Sequence, residues 1–336
     1  MILFAYGTRP EYIKISPILK LLSRDKYKTL FTGQHTELLS HCDFDYKLDI
    51  AGGDNRLDCI VQSCLNKNFL FDGVSHVLVQ GDTTSAFAIA LAAFHRKIKI
   101  IHLEAGLRSY DRENPYPEEA NRVMISAIAD YHLCPTEYNK KNLDMEKSVS
   151  GKKFVVGNTG LDGLSKIKKN VKFLNNILIT LHRRENHDKI TEWFSKIDEL
   201  ASYYKNYNFI LPIHPNPNVK KHAGMLKYVK VVEPMNHDDL TEFLSSCALV
   251  ISDSGGIQEE CSFLGKKVLV CRKVTERPES VGTTSFLVDL ENIKDIFNVH
   301  IKDPYPVYKD CPYGDGNSAE KIIKIFQDEK IIQRGL

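Results

Sequence analysis

The sequence predicts an α/β protein made of two Rossmann-like domains. Short apolar runs alternate along the chain with longer stretches of helical period, which is typical of repeated βαβ units. Several apolar runs end in an acid or a histidine, as expected for buried parallel strands that deliver side chains to the carboxyl edge of a sheet. The length of 336 residues, 43% of them hydrophobic, fits two domains better than one.

The elements follow one another in the order that two such domains require. In the first half, predicted helices begin at Ile13, Thr36, Thr84, Glu119 and Glu137, between the strands MILFAYG, YKTLFTG, HVLVQG, KIIHLE, YHLCP and KFVVGN. In the second half, the strands are ILITLH, FILPIH, VKVVEP, LVISDSG and KVLVCR, and the predicted helices cover 189–205, 217–225, 238–246 and 257–264.

Glycines and a basic, polar stretch interrupt the apolar rhythm in GNTGLDGLSKIKKNVKFLNN. We therefore predict an N-terminal Rossmann-like domain over 1–162, which carries the acids described below, and a C-terminal Rossmann-like domain over 163–317. A C-terminal helix is predicted over 318–336, and packing back on the N-terminal domain is one option for it.

Composition excludes several classes of protein. Lys and Arg total 45 against 43 Asp and Glu, so no bulk charge favours nucleic acid or membrane. The apolar start is too short for a signal peptide, and no apolar run reaches the roughly 20 residues that span a bilayer, so we expect a cytoplasmic protein. The eight cysteines have no zinc spacing, and neither disulfides nor a metal is predicted.

Three acids and an arginine occur close together at or beyond predicted strand ends. They are Asp82 in QGDTTS, Glu104 in HLEAGLRS, and Glu118 and Arg122 in PEEANR. Each acid alone is compatible with simple capping of the following helix. Three in one run favour a catalytic site at the carboxyl edge of the sheet.

Two turns are candidate anion sites. In GTRPEYIK, Arg9 and Lys14 can meet a phosphate or carboxylate near a helix start, although a plain βα turn is the alternative. In SDSGGIQEE, backbone N–H groups and the hydroxyl of Ser254, Gly255 and Gly256 suit a pyrophosphate. A carboxylate one helical turn on can accept two vicinal sugar hydroxyls, and Glu260 holds that position; an ordinary capped helix start is the alternative.

Further basic groups occur beside strand ends. His182 lies in LHRREN, His214 in LPIHPNP, His35 in TGQHTELL and Arg277 in TERPES. Histidine can donate to phosphate or act as an acid near neutral pH. A structural role with locally satisfied hydrogen bonds remains the alternative for each histidine.

Taken in order along the chain, these motifs resemble the non-hydrolysing UDP-N-acetylglucosamine 2-epimerases. The resemblance rests on GTRPEYIK, TGQH, GDTTS, HLEAGLRS, PEEANR, GNTGLD, HRREN, HPNP, SDSGGIQEE and TERPE. It implies a glycosyltransferase-B-type fold, with two domains that face each other across a cleft and bind UDP between them.

The resemblance also implies roles for the residues. Binding of the UDP-sugar is implied for Arg9, Lys14, His214, Ser254, Gly255, Gly256, Glu260 and Arg277, and catalysis for Asp82, Glu104, Glu118, Arg122 and His182. It implies no metal and no NAD, and a homodimer. In some members a second UDP-sugar site regulates activity; Gln34, His35, Arg184 and Glu185 are the candidates here, although the segment after TGQH departs from the family pattern.

The implied reaction is inversion at carbon 2 of UDP-GlcNAc to give UDP-ManNAc, through elimination of UDP and its re-addition to a 2-acetamidoglucal, for synthesis of surface polysaccharide or glycan precursors. A modified UDP-N-acetyl sugar, deoxy or uronic, is the alternative substrate. A glycosyltransferase of the same fold would share the SGG and Glu pattern without needing the three acids, and a non-catalytic UDP-sugar sensor would lose an acid.

Overall fold

A computed structural model describes residues 1–34, 44–50, 52–213, 216–305 and 310–333, except for the side chains of Phe69 and Arg184. The chain divides into two compact units. Unit 1 contains Met1–Gly163 and Gly316–Leu336, and unit 2 contains Leu164–Asp315.

Unit 1 is a doubly wound parallel sheet. Among its described residues, seven strands occur in the order β3-β2-β1-β4-β5-β6-β7, and all their pairings are parallel. The strands are β1 (Ile2–Tyr6), β2 (Tyr27–Phe31), β3 (Tyr46–Lys47), β4 (His76–Gln80), β5 (Lys99–Leu103), β6 (Tyr131–Cys134) and β7 (Lys152–Val155), and the helices are α1 (Arg9–Leu21), α2 (Arg56–Leu65), α3 (Thr84–His95), α4 (Glu118–Ile128) and α5 (Glu137–Met145).

Unit 2 repeats this architecture. Its described strands form a parallel sheet in the order β10-β9-β8-β11-β12-β13. The elements are α6 (Ser165–Lys168), β8 (Asn176–Thr180), α7 (Arg184–His187), α8 (Ile190–Tyr203), β9 (Asn208–Pro212), α9 (Pro217–Lys220), β10 (Lys230–Val232), α10 (His237–Ser246), β11 (Leu249–Ser252), α11 (Gly255–Leu264), β12 (Val268–Val270), β13 (Ser285–Leu287) and α12 (Ile293–Lys302).

The predicted α/β class with two Rossmann-like domains is confirmed. The apolar runs that predicted strands form strands because their side chains are covered on both faces of a sheet. In β1, for example, every residue is buried. The last helix, α13 (Ser318–Asp328), belongs to unit 1, where Asp162 accepts hydrogen bonds from the N–H groups of Ser318 and Ala319 at 2.9 and 2.6 Å.

Several predicted helix bounds were wrong. The first helix begins at Arg9 instead of Ile13, because Pro10 suits a first helical turn and Glu11 accepts hydrogen bonds from two N–H groups just before it. The predicted helix over 217–225 ends at Lys220, and a separate 3₁₀ turn follows. The helix predicted from Thr36 falls at residues outside the described part of the chain.

The strand orders place the carboxyl ends of two strand pairs at topological switch points. In unit 1 the order reverses between β1 and β4, and in unit 2 between β8 and β11. Loops that leave a doubly wound sheet in opposite directions open a crevice at such a point, and ligands bind there. The turns GTRPEY and GDTTS therefore meet in unit 1, and HRREN and SDSGG meet in unit 2.

Within the described part of the chain, none of the helices is both long and apolar enough to cross a membrane.

A glycine next to the unit 1 switch point provides a test of the packing. Gly106 has φ +89°, and a Cβ atom there would lie 2.2 Å from the carbonyl oxygen of Asn139. We expect Gly106→Ala to lower the free energy of unfolding by about 2–4 kcal/mol, because it adds a left-handed alanine and a backbone clash. The measurement is urea unfolding, with Gly163→Ala as control, since among the described residues no atom beyond its chain neighbours lies within 4 Å of that Cβ position. Equal losses in the two variants would contradict the packing described here.

Candidate active site

A buried arginine joins two of the acids in unit 1. The guanidinium of Arg122 on α4 donates to Asp82 Oδ2 from Nε and Nη2, at 3.0 and 2.7 Å. Its Nη1 donates to Glu119 Oε2 at 2.6 Å. Glu119 and Arg122 are buried, whereas the Asp82 side chain is 30% exposed. This arrangement fixes Asp82 through two charge-assisted hydrogen bonds to one oxygen, Oδ2, and leaves part of its carboxylate open to a ligand.

The second predicted acid is also paired with a cation. Both oxygens of Glu104 accept hydrogen bonds from Lys14 Nζ, at 2.6 and 2.7 Å, and Gln80 donates to the same carboxylate. Glu104 has φ +65°, a left-handed conformation that costs a residue with a side chain on the order of 1–2 kcal/mol. Strain of this kind persists where surrounding contacts over-determine a functional side chain.

Asp82 and Glu104 lie beside one pocket. It is small and is lined by Gly81, Asp82, Glu104, Leu107 and Arg122. The two acids follow the neighbouring strands β4 and β5, which are paired in parallel, so that their carboxylates end at the same edge of the sheet. Glu118, the third predicted acid, is the first residue of α4 and is partly buried.

Buried groups hold the turns that carry these acids. Glu11 accepts hydrogen bonds from the N–H groups of Gly7 and Thr8 and from the hydroxyl of Thr83. It thereby ties the turn after β1 to the turn after β4, and burial raises its pKa. His102 on β5 lies 2.8 Å from the carbonyl oxygen of Gly81 through Nε2. Because a carbonyl only accepts, this contact assigns the proton to Nε2.

In unit 2, the turn after β11 forms the start of α11. The Ser254 hydroxyl accepts a hydrogen bond from the N–H of Ile257, 3.5 Å away, and so caps the helix. The N–H groups of a first helical turn have no acceptor within the helix and attract anions. This helix start is therefore suited to a phosphate group.

Arg277 packs beneath this helix start. A Cβ atom on Gly255 would lie 2.3 Å from Arg277 Nη1, so only glycine fits at that position. The guanidinium donates to Glu259 and, over 2.6 Å, to Glu276. Tyr313 donates to the Arg277 carbonyl at 3.2 Å, and burial raises the pKa of this tyrosine. Arg277 thus supports the glycine turn from below, a role that the sequence did not indicate.

Asp253 fixes the loop that contains His182. Its carboxylate is fully buried and accepts hydrogen bonds from the N–H groups of His182 and Arg183 and from the Asn186 side chain, at 2.9–3.2 Å. The His182 ring lies 3.6 Å from the same carboxylate, and desolvation lowers its pKa. The loop after β8 and the turn after β11 are therefore linked, because both follow paired strands.

The ribose candidate Glu260 lies one turn after the glycines of α11. Its Oε1 lies 3.2 Å from Nε2 of His237, the first residue of α10. Its Oε2 is buried and has no hydrogen-bond partner among the residues described. A buried carboxylate oxygen without a partner is costly, so this atom is suited to a hydroxyl of a bound molecule.

The remaining predicted residues are placed as follows. Arg9 is exposed at the first position of α1. Gln34 accepts a hydrogen bond from the Ser85 hydroxyl at 2.7 Å, and Glu185 lies 2.7 Å from Arg272 Nε. His35, His214 and the side chain of Arg184 lie outside the described residues.

Several contributors to the site escaped sequence reasoning. They contact the candidate side chains or the turns that carry them: the buried residues Gln80, His102, Glu119, Asp253, Glu259 and Glu276, and the partly exposed His237. The sequence did contain a signal for Glu119 and Glu259, because PEEANR and IQEE each hold two adjacent acids. Adjacent side chains of a helix point in different directions, so the two acids of each pair have different surroundings. No group of three or more His, Cys, Asp or Glu side chains within the described ranges has the geometry of a metal site.

Two parallel sheets with interleaved helices, one with acids at its carboxyl edge and one with a helix start suited to an anion, are the architecture of α/β enzymes of the glycosyltransferase-B-type fold. A family model described as UDP-N-acetylglucosamine 2-epimerase matches residues 23–327. The chain therefore belongs to the UDP-N-acetylglucosamine 2-epimerase family, whose members are isomerases, and the resemblance seen in the motifs is confirmed.

Individual relatives align with this chain over nearly its full length. The chain is 38% identical to a UDP-N-acetylglucosamine 2-epimerase of Neisseria meningitidis, covering 96% of this chain and 98% of the relative. It is 36% identical to that of Bacillus subtilis, with 96% and 94% covered. A crystal structure of the N. meningitidis enzyme bound to UDP-GlcNAc superposes with a TM-score of 0.86 at 36% identity, covering 97% of this chain and 99% of that one.

The buried Glu119 carboxylate provides a test of the unit 1 cluster. It accepts hydrogen bonds from Arg122 and from the N–H groups of Ser109 and Tyr110. We expect Glu119→Gln to lower the free energy of unfolding by about 3 kcal/mol, because Arg122 stays buried with one charged partner fewer. The measurement is denaturant unfolding, with Asp144→Asn as control, since the Asp144 ion pair with Lys140 lies on the surface. A loss no larger than that of the control would contradict a supporting role for Glu119.

The buried histidine behind Gly81 predicts a dependence of stability on pH. Burial lowers the pKa of His102 from 6.5 to about 3, so the folded protein keeps it neutral. The unfolded chain binds this proton below pH 6.5, and stability is therefore lost as the pH falls from 6.5 towards 3. We expect histidine ¹⁵N NMR to show the neutral Nε2-H form at pH 5, and His102→Gln to reduce the loss of stability on acidification. A His102 ring that titrates near pH 6 would contradict this prediction.

Proposed function

We propose that the protein inverts carbon 2 of UDP-GlcNAc, giving UDP-ManNAc, by eliminating UDP and adding it back. The observation that carries the proposal is the pair of cation-bound acids at neighbouring strand ends, Asp82 with Arg122 and Glu104 with Lys14. Family membership and the N. meningitidis relative bound to UDP-GlcNAc support this choice of substrate.

The chemistry needs two acid–base groups. A carboxylate removes the proton from carbon 2, the electron pair forms a double bond to carbon 1, and the bond from carbon 1 to the phosphate oxygen breaks. UDP then adds back to carbon 1 while a proton is delivered to the opposite face of carbon 2. Proton removal and delivery on opposite faces require groups in different positions, and Asp82, Glu104 and Glu118 supply the candidates.

The cations next to the acids have an electrostatic role. The positive charges of Arg122 and Lys14 balance the negative charges of Asp82 and Glu104 in a partly buried setting, where an unpaired charge is costly. Lys14 was predicted to contact a phosphate or carboxylate, and its contact with Glu104 supports a role beside the acid.

Unit 2 supplies the groups for the nucleotide. We assign the diphosphate to the N–H groups of Gly255 and Gly256 and to the Ser254 hydroxyl, since a departing diphosphate gains negative charge that a helix start stabilises. Glu260 accepts ribose hydroxyls, and His182 donates to the leaving group. Arg9 and His214 complete the proposed ligands, and Arg277 acts by supporting the glycine turn.

We propose a homodimer, no cofactor, a cytoplasmic location and a supply of precursor for surface polysaccharide or glycans. A regulatory role is proposed for Gln34, His35, Arg184 and Glu185.

The reaction is tested by incubating the protein with UDP-GlcNAc in deuterated water and following carbon 2 by proton NMR. We expect deuterium at carbon 2 of both UDP-GlcNAc and UDP-ManNAc, because the proton is exchanged with solvent through the acids. UDP binding without exchange would redirect the proposal to a deoxy or uronic UDP-N-acetyl sugar. Accumulation of free UDP and sugar would point to hydrolysis.

The role of the acid held by Arg122 is tested by Asp82→Asn. We expect epimerisation to fall by about 100-fold or more, because an amide cannot exchange the proton, while UDP affinity is retained. Coupled product assays and calorimetric titration with UDP measure the two properties. Asp49→Asn is the matched control, since Asp49 is almost fully exposed. Loss of UDP binding in Asp82→Asn would overturn the assigned role.

A further inference from the structure

One hydrogen-bonded partner of a proposed ligand in unit 2, His237, has no place in the assignments above. His237, the first residue of α10, is 3.2 Å from Glu260 Oε1 through its Nε2, and the Glu260 side chain is only 12% exposed. Glu260 lies four residues after Gly256, on the same face of α11 and one turn beyond the anion-binding start. The histidine therefore contacts the acid that follows the diphosphate site.

The contact leaves the two carboxylate oxygens in different states. Oε1 is engaged by the imidazole, whereas the buried Oε2 has no partner among the residues that the structure describes. A carboxylate held at one oxygen cannot rotate freely, so the other oxygen keeps a fixed direction. A fixed acceptor binds a hydroxyl more tightly than a mobile one, because less conformational freedom is lost on binding.

The pair also has an electrostatic consequence. Glu260 is a negative charge one helical turn from a site proposed for a diphosphate, and like charges repel. An imidazolium on Oε1 offsets that charge. A nucleoside diphosphate is therefore bound more tightly when this histidine is protonated than when a neutral hydrogen-bond donor stands in its place.

We propose that His237 is a positioning residue for nucleotide binding, which fixes Glu260 for a ribose hydroxyl and offsets its charge beside the diphosphate. This inference rests on the proposed function and deepens its account of how the nucleotide is recognised.

The charged groups around His237 determine the direction of the pH effect. Glu260 faces it from α11, and Asp238 Oδ1 lies 3.7 Å from its Nδ1 at the surface. The short helix α6 also packs against α10 and carries Lys166 and Lys168; the Lys168 ammonium lies over the ring of Phe263, 4.4 Å from its centre. The hydrogen bond with Glu260 raises the pKa of His237, against an opposing effect of burial.

UDP affinity therefore falls as the pH rises through the raised pKa of His237. Above that pKa the imidazole is neutral, and the charge of Glu260 is no longer offset. Below it the imidazolium is present, and the charge of Glu260 is offset.

Two substitutions distinguish the effect of fixing the Glu260 carboxylate from the effect of offsetting its charge. His237→Ala removes both, whereas His237→Gln keeps an N–H donor for Glu260 without the charge. The probes are UDP and its 2′,3′-dideoxy analogue, which lacks the hydroxyls, and the measurement is calorimetric titration between pH 6 and 8.5. His222→Ala is the matched control, a histidine elsewhere in unit 2.

At pH 6.5 we expect His237→Ala to bind UDP about tenfold more weakly, the size of a hydrogen bond to a charged group, and the dideoxy analogue more weakly by a smaller factor, because the analogue loses only the offset of the Glu260 charge. His237→Gln is expected to keep the preference for UDP over the analogue and to lose the dependence of affinity on pH. His222→Ala is expected to match the unsubstituted protein in both respects.

The outcomes distinguish this inference from the proposed function. If the unsubstituted protein does not bind UDP, both fail. If it binds UDP, the role of His237 is overturned when His237→Ala weakens the binding of UDP and of the analogue equally, or when it weakens the binding of neither. The proposed function stands in both cases. Should His237→Ala fail to fold, as judged by circular dichroism, a pH dependence of His237→Gln equal to that of the unsubstituted protein overturns the inference.

Discussion

Buried carboxylates that accept backbone N–H groups hold the turns on which both units carry their functional side chains. Asp253 accepts from the loop after β8, and Glu11 accepts from the turn after β1. A turn at the end of a buried strand has N–H groups that are satisfied by neither the sheet nor the next helix. A single acid satisfies several of them and also ties together two turns that meet at a switch point.

The same constraint explains why the cations of the site are bound to acids. Arg122 and Arg277 are nearly buried, and a buried charge without a partner is far more costly than a paired one. Arg122 is therefore shared between Asp82 and Glu119, and Arg277 between Glu259 and Glu276. The consequence for chemistry is that Asp82 has a fixed orientation, while the glycine turn of α11 has a rigid support.

The strands of both sheets were predictable because parallel strands covered on both faces must be apolar, and such runs are visible in β1 and β11 without any tertiary information. Helix starts were less predictable. The first helix began four residues before its apolar period, because Glu11 reaches back to cap it. Among the elements that were missed are the helices α2 and α12 and the strands β3 and β13. The two strands have only two and three residues, and such short runs do not stand out from a loop.

The sequence by itself determined the fold class, the order of the motifs and which acids and glycines are candidates, because periodicity and turn chemistry are local properties of the chain. The tertiary structure alone decided which residue each ionisable side chain contacts. Lys14 pairs with Glu104, Arg277 packs against Gly255, and His237 pairs with Glu260. These pairs join residues between 22 and 90 positions apart. Only the order and parallel pairing of the strands brings such residues to one edge of a sheet.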